Sequence, residues 1–236
     1  MAGFLPKVRR YMFSQKTMML YTQSIKDVAS MDIRCAEGLL CRELLPRDRG
    51  TFAKLLGTQR KRETLFQPVF GMEDVEERVA RGEHCFVCED GERIAGYIWF
   101  SPREKFILEI KVTLQLQDGD VYAYNAYVDE EYRGRNITPS ILVAACRVLL
   151  PAGFTRLLLV TMDWNESTHR TLKKAKFLCK GNLTAGYFAT IRFMINTCGD
   201  IDTLNNAGPF ELYGKLFRKV AAALSGKGAT ARPRMV

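Results

Sequence analysis

The spacing of hydrophobic residues changes several times along this chain, and each change marks an element. The apolar run 18–21 predicts an opening strand over about 18–25. The stretch to about residue 60 is rich in Leu, Arg and Glu and is interrupted at Pro46, so it predicts one or two helices. Residues 73–81 predict another, ended by Gly82. From His84 the period shortens. The apolar runs 85–88 and 94–100 flank Glu89-Asp90-Gly91-Glu92, a hairpin signature because Asp-Gly tolerates the positive φ of tight turns. Residues 106–116 alternate, with Ile107, Ile110, Val112, Leu114 and Leu116 among polar neighbours, and predict one strand. A turn at Asp118-Gly119-Asp120 leads to a strand over 121–128, which completes an antiparallel meander.

Helical spacing then returns. Ile141, Leu142, Ala145, Val148 and Leu149 predict a helix over 139–150, ended by Gly153. Leu157-Leu158-Leu159-Val160 is apolar throughout, as in a strand buried on both faces. Residues 165–176 predict a helix capped by Asn165 or Ser167. Residues 177–196 predict a closing hairpin about Gly181-Asn182 or Ala185-Gly186. Strands first, then strand, helix, strand, helix, strand, predict an α+β or mixed α/β fold with a central mixed, largely antiparallel sheet. Beyond it, Phe210, Tyr213, Leu216, Phe217, Val220 and Leu224 share one helical stripe beside Lys215, Arg218 and Lys219. The Gly, Ala, Arg and Pro tail after Ser225 has little to bury and is expected to be disordered. The expected organisation is an extension over 1–17, a domain over 18–196, and an amphipathic helix with a basic tail over 197–236.

Composition narrows the partners. The chain has 236 residues, 47 % of them hydrophobic, so it can bury a core of its own. Lys and Arg number 35 against 26 Asp and Glu, a formal charge of +9 that favours coenzyme phosphates, nucleic acid or acidic lipid. No basic-aromatic platform accompanies the charge, so no nucleic-acid partner is expected. The stripe over 209–224 raises peripheral contact with the inner face of a membrane. Seven cysteines, an odd number, suggest reduced thiols and a cytoplasmic protein. No apolar run approaches the roughly 18 residues of a membrane span, and no leader-like apolar region follows the first basic residues. His84 and the Cys85-x-x-Cys88 pair invite a metal reading. On a strand, however, residues three apart face opposite ways, and no second pair follows at zinc spacing, so no metal is expected.

One segment carries chemistry. Tyr132-Arg133-Gly134-Arg135-Asn136-Ile137-Thr138 joins a strand end to a helix start. Such a turn aims several backbone N–H groups at one point, and the helix dipole adds positive potential there. Gly134 removes a side chain that would block close approach, while Arg133 and Arg135 can bond phosphate oxygens. The turn therefore suits a pyrophosphate.

With its surroundings, the segment 124–137 resembles the fourth strand and pyrophosphate loop of the GNAT superfamily of acyl-CoA-dependent N-acyltransferases. That loop usually reads R-x-x-G-x-G/A. Arg133 fills the first place, Asn136 stands where the first Gly is usual, and Thr138 where the second small residue is usual. Asn165-Glu166-Ser167 and Phe177 are similar to a later segment of the family, with Lys176 where a Gly usually precedes the Phe. The hairpin 85–99, with Gly91 and Gly96, looks like the family's second and third strands. The resemblance implies helices on both faces of a twisted sheet and acetyl-CoA as cosubstrate. It implies a pantetheine arm along Asn125, Ala126, Tyr127 and Val128, and a pyrophosphate on Arg133, Gly134, Arg135, Asn136, Ile137 and Thr138. Asn165 and Ser167 would lie near the coenzyme.

The implied reaction moves an acetyl group to a primary amine by direct attack on the thioester, with a backbone N–H, that of Val128, polarising the carbonyl. The family often supplies the acid for the leaving thiolate from a Tyr seven residues after the Asn. Leu172 holds that place, so Tyr187, Tyr124 and Tyr127 are the candidates, with His169 on a nearby helix face. Asp129 and Glu130 read as helix-entry groups, and Glu109 faces either the acceptor or solvent. Two alternatives stand beside this one. They are an acyl-CoA-binding scaffold with weak catalysis, and a membrane-surface acyltransferase acting on an envelope sugar amine.

Overall fold

The computed structural model describes residues 13–61, 70–188, 191–199 and 203–205. The strands are β1 Phe13–Ser24, β2 Leu39–Glu43, β3 His84–Asp90, β4 Arg93–Ser101, β5 Lys105–Ile107, β6 Val112–Leu114, β7 Asp120–Val128, β8 Arg156–Met162, β9 Leu178–Phe188, β10 Ile191–Asn196 and β11 Thr203–Asn205. The helices are α1 Ile25–Ala29, α2 Arg49–Lys61, α3 Met72–Ala80, α4 Ile137–Leu149 and α5 Glu166–Lys174. Eight strands form one sheet in the order β10-β9-β1-β8-β7-β4-β3-β2, and β11-β6-β5 form a small second sheet. Among the described strands only β7 and β8 run parallel, so the sheet is mixed and largely antiparallel, as expected.

Alternation sorts the side chains of β4 onto two faces, with one change of phase at the bulge where the register against β3 shifts between Cys88↔Gly96 and Glu89↔Ile94. Ala95, Ile98 and Phe100 join Val121, Ala123, Leu157 and Leu159 under α1, α4 and α5, whose Ile25, Val28, Ile141, Leu142, Ala145, Leu149 and Leu172 close that core. Ile94, Tyr97 and Trp99 face the other way, against Phe52, Leu55 and Leu56 of α2 and Val75 of α3. On that second face the small sheet covers the neighbouring strands, with Ile107, Val112 and Leu114 on Tyr122, Leu158, Leu20 and Leu183. Helices therefore pack on both faces.

Four local expectations need correction. β1 begins at Phe13 rather than near 18, and it lies mid-sheet between β8 and β9. Residues 39–43 form a strand, not part of a helix, because they pair with β3 from Leu39↔Asp90 to Glu43↔Phe86. The alternating stretch 106–116 is two short strands, since residues 108–111 turn the chain and Lys111 takes φ 53. Neither Gly181 nor Gly186 marks the closing turn, because β9 runs through both and pairs with β10 from Phe188↔Ile191 onward. Gly181 instead sits at a bulge where the register against β1 shifts between Leu20 and Tyr21. Its φ is 143°, and a Cβ there would lie 2.6 Å from the Thr197 carbonyl oxygen. The stripe 209–224 and the tail lie outside the described residues. No described helix is long and apolar enough to cross a membrane.

Candidate active site

β7 and β8 are pinned together at one end and part at the other. At their amino ends Arg156 grips the buried Asp120 through Nε at 2.7 Å and a terminal nitrogen at 2.8 Å. Pairing runs from Asp120↔Arg156 to Ala123↔Leu159 and then stops. Past that point β8 keeps only its other neighbour, β1, which it pairs from Ser24↔Arg156 to Met18↔Met162. β7 turns toward β4 through a bulge, where the register shifts between Tyr97↔Tyr127 and Trp99↔Tyr124. Asn125 provides the bulge with φ 47°, left-handed backbone that Asn adopts more readily than most residues. With its amide oxygen turned toward the guanidinium, Asn125 accepts from both terminal nitrogens of Arg78 at 3.1 Å. The bulge also changes the phase of the strand: Tyr124 and Tyr127 both face the α2–α3 side, while Val128 packs on the α4 side.

Each parted strand leads into a helix, so the amino ends of α4 and α5 lie at the carboxyl edge of the gap. Asn165 caps α5 by accepting from the Thr168 N–H at 3.2 Å. The approach to α4 is a single helical turn, Glu130–Tyr132, held from beneath. The Asp129 N–H donates to the Ala95 carbonyl at 2.9 Å, and the buried Asp129 carboxylate accepts from the Glu131 N–H at 3.2 Å. Tyr132 is buried and donates to Asp90 at 2.8 Å. Gly134 then takes φ 81° and Asn136 φ 57°, and among the described residues no acceptor meets the N–H groups of 134–138. A Cβ at Gly134 would touch nothing within 4 Å, so the requirement for glycine there is its backbone conformation. Glu130 takes up Arg133 at 3.5 Å and Glu131 takes up Arg93 at 3.0 Å. The Arg135 guanidinium instead lies 5.1 Å from the Tyr132 ring centre and meets no carboxylate among the described residues. The turn thus offers unpaired N–H groups, a helix amino end and one uncommitted arginine, the donor set for a phosphate.

On the α2–α3 face, beside the last β7–β8 pair, lies a buried charged cluster. Glu83 immediately precedes β3, with its side chain 4 % exposed. It accepts from Lys105 Nζ at 2.8 and 3.0 Å and from the Tyr124 hydroxyl, and Arg81 Nε lies 3.5 Å away. Lys105 Nζ also reaches the Tyr124 oxygen at 3.0 Å. Burial, reinforced by donation to Glu83, raises the Tyr124 phenol above its ordinary pKa. Burial lowers the Lys105 ammonium, against the pull of Glu83. Arg78 spans the aromatic wall beside them, its guanidinium 4.2, 5.1 and 5.2 Å from the Phe70, Trp99 and Tyr124 ring centres. The buried Trp99 Nε1–H has no partner among the described residues.

The profile of the Acetyltransferase (GNAT) family matches residues 55–177, just over half of the chain. The chain belongs to the GNAT acetyltransferase family. No curated protein matches it significantly in sequence. Among solved structures it is similar to a conserved protein of unknown function from Staphylococcus epidermidis, with TM-score 0.51 and 13 % identity over 77 % of this chain and 64 % of that one. A GCN5-related N-acetyltransferase from Sphaerobacter thermophilus gives TM-score 0.48 and 13 % identity, covering 82 % of this chain and 56 % of that one. The chain thus spans less than two thirds of the length of either structure, and likeness at such identity concerns the fold alone.

In this GNAT chain the residues predicted for the coenzyme come together. Asn125, Ala126, Tyr127 and Val128 form the edge that β8 leaves, Arg133 to Thr138 form the turn, and Asn165 with Ser167 opens the helix across the gap. The proposed acids separate. Tyr124 joins the buried cluster. Tyr127 stacks on Tyr97 with ring centres 5.7 Å apart. The backbone of Tyr187 lies in β9 opposite Ser14, and its side chain lies outside the described part. Leu172 is fully buried, so its helix face serves the core. His169 is spoken for: Nε2 meets the Asp163 carbonyl at 3.0 Å and Nδ1 the Tyr21 hydroxyl at 2.9 Å, which makes Nδ1 the acceptor. Glu109 falls in the turn between β5 and β6, not on a strand. Sequence reasoning missed Glu83, Lys105 and Arg78, because only the folded sheet brings a helix end, a strand start and the second sheet together. Cys85 and Cys88 enter the cores on opposite faces and so do not share a site, but Cys88 meets Cys35 and Cys41, a grouping that the sequence spacing did not show.

Proposed function

We propose that this chain is an acyl-CoA-dependent N-acyltransferase that moves an acetyl group from acetyl-CoA to a primary amine. The observation that carries the reading is the pair of parallel strands that part after Ala123↔Leu159, with a helix amino end beyond each. The pantetheine arm would lie along Asn125–Val128, the pyrophosphate on Arg133–Thr138, and the Val128 N–H would polarise the thioester carbonyl. The amine would approach from the α2–α3 side, past Arg78 and Tyr124. Attack by the neutral amine forms the C–N bond and breaks C–S; the nitrogen gives up one proton to water, and the departing thiolate takes one. In this reading Tyr124 passes it on from Lys105, because a phenol with a raised pKa is a weak acid alone and a buried ammonium with a lowered pKa is a stronger one.

The reading fixes a sign for pH dependence. Lys105 loses its proton below the ordinary lysine value, so kcat should fall on the alkaline side, with a limb that starts earlier than an unperturbed lysine would give. Lys105→Met should abolish that limb and lower kcat. An alkaline limb unchanged in the variant would remove Lys105 from the proton path.

Coenzyme affinity should divide the two arginines. Arg135→Ala removes the uncommitted guanidinium and should weaken coenzyme A binding by about tenfold, from the roughly 1.5–3 kcal/mol of a charge-assisted bond discounted for exposure. Arg133→Ala should cost less, since Arg133 must leave Glu130 before it can bind. Calorimetric titration of both variants ranks them, and an equal or reversed order contradicts the assignment.

The whole reading is tested by titrating the protein with acetyl-CoA and following thiol release with a panel of primary amines. No binding at millimolar coenzyme would overturn it. Leu172, buried where the family often supplies an acid, favours one alternative, an acyl-CoA-binding scaffold. Tight binding with no turnover on any amine would establish that alternative.

A further inference from the structure

Three cysteines far apart in sequence converge outside the acyl-transfer site. Cys41 on β2 lies directly opposite Cys88 on β3, and Cys35 reaches them from the segment between α1 and β2. Their three Sγ atoms all lie within 4.8 Å of one another, and those of Cys35 and Cys41 are 4.0 Å apart. Cys88 is buried and the other two are half-buried.

That spacing is informative. A metal–thiolate bond of about 2.3 Å places three sulfurs around one ion roughly 4 Å from each other. A disulfide would use two of the three and leave one thiol over. No fourth His, Cys, Asp or Glu joins the group among the described residues, whereas a structural zinc site closes with four ligands. Three soft donors without a hard one suit a soft closed-shell cation that accepts low coordination. The surroundings suit it as well. The Cys35 thiol now points at the Leu39 carbonyl at 3.1 Å, a contact that side-chain rotation can exchange for a metal.

We propose that Cys35, Cys41 and Cys88 form a three-thiolate site that binds copper(I) in preference to zinc(II). Each thiol gives up its proton as the bond to the ion forms, no electron is transferred, and affinity therefore falls as pH falls. The segment that carries Cys35 also touches the coenzyme turn, where the Ala36 N–H donates to the Arg135 carbonyl at 3.3 Å. The metal site does not depend on the acyl-transfer reading, and its test uses no coenzyme.

The experiment adds copper(I), held by a competing chelator under reducing conditions, to the full chain, and zinc(II) in parallel. One copper per chain is expected, bound more tightly than zinc. Cys41→Ser should lose more than the roughly 10–100-fold that removal of an outer-sphere contact costs, while Cys179→Ser, an exposed cysteine outside the cluster, should bind as the parent does. Alkylation of the parent protein with a mass readout needs no folded variant: copper should protect Cys35 and Cys41 and leave Cys179 reactive. Copper retained by Cys41→Ser, tighter binding of zinc, or alkylation of Cys35 and Cys41 at full copper loading would each overturn the proposal.

Discussion

Replacing Glu83 by alanine should lower the unfolding free energy by about 3–5 kcal/mol, the range for removing one partner of a buried ion pair. The carboxylate holds two bonds from Lys105 and one from Tyr124, and Arg81 lies close by. Without it, an ammonium whose side chain is 20 % exposed and a largely buried phenol lose their acceptor. The cost comes from those orphaned donors more than from the pair itself, so the remedy is specific. Adding Lys105→Met to a Glu83→Leu background should recover much of the loss, because well-packed apolar replacements of buried ion pairs are often neutral. Urea unfolding of the single and double variants measures both effects. A loss below about 1 kcal/mol in Glu83→Ala would mean that water reaches the site and replaces the carboxylate.

Gly96→Ala should damage stability and coenzyme binding together. A Cβ at that position would lie 2.7 Å from the Tyr127 carbonyl oxygen, 3.2 Å from Ile137 Cγ2 and 3.3 Å from Val128 Cα. The nearest of these is backbone and cannot rotate away, so the strand itself must shift. Overpacking of this kind costs about 1–3 kcal/mol, which lowers Tm by roughly 2–4 °C per kcal/mol in a chain of this size. The atoms displaced are the end of β7 and the first residue of α4, the two parts assigned to the pantetheine arm and the pyrophosphate. Affinity for coenzyme A should therefore fall about tenfold, the equivalent of 1.4 kcal/mol. Lost stability with unchanged affinity, measured by thermal unfolding and calorimetry, would place the coenzyme elsewhere.

These two positions show what the sequence can and cannot reveal. The Asp90-Gly91 turn, the helical stripe over α4 and the Asn165 cap are local signals, and the structure follows them. The turn over 133–138 is local as well, since Asn136 supplies a left-handed conformation where the family's usual motif has glycine. The missed features depend on partners far along the chain. β2 reads as helix because Leu, Arg and Glu favour one, yet its pairing with β3 overrides that preference. Gly181 reads as a turn residue but lies within β9 beside the register shift against β1, where its φ of 143° and the Thr197 carbonyl, 2.6 Å from a Cβ, leave no room for a side chain. Glu83 follows Gly82 with no local signal that marks it for burial. Only the return of β5, which brings Lys105, and the approach of Tyr124 make it a buried, fully bonded acid.

The place of β1 in the sheet has a consequence for how the protein is made. Its residues 18–24 pair with 156–162, and 13–22 pair with 178–188, so β1 meets both neighbours only long after it has been synthesised. Until then Met18, Leu20 and Tyr21, all buried in the final fold, have nothing to cover them. The β3–β4 hairpin can form early from contacts close in sequence, but closing the sheet about β1 is a long-range event with a large loop-closure cost. A ribosome paused before β8 therefore holds a chain in which β1 lacks both of its neighbours and β7 lacks one. Chaperone capture and misassociation of the nascent protein should concentrate in that interval.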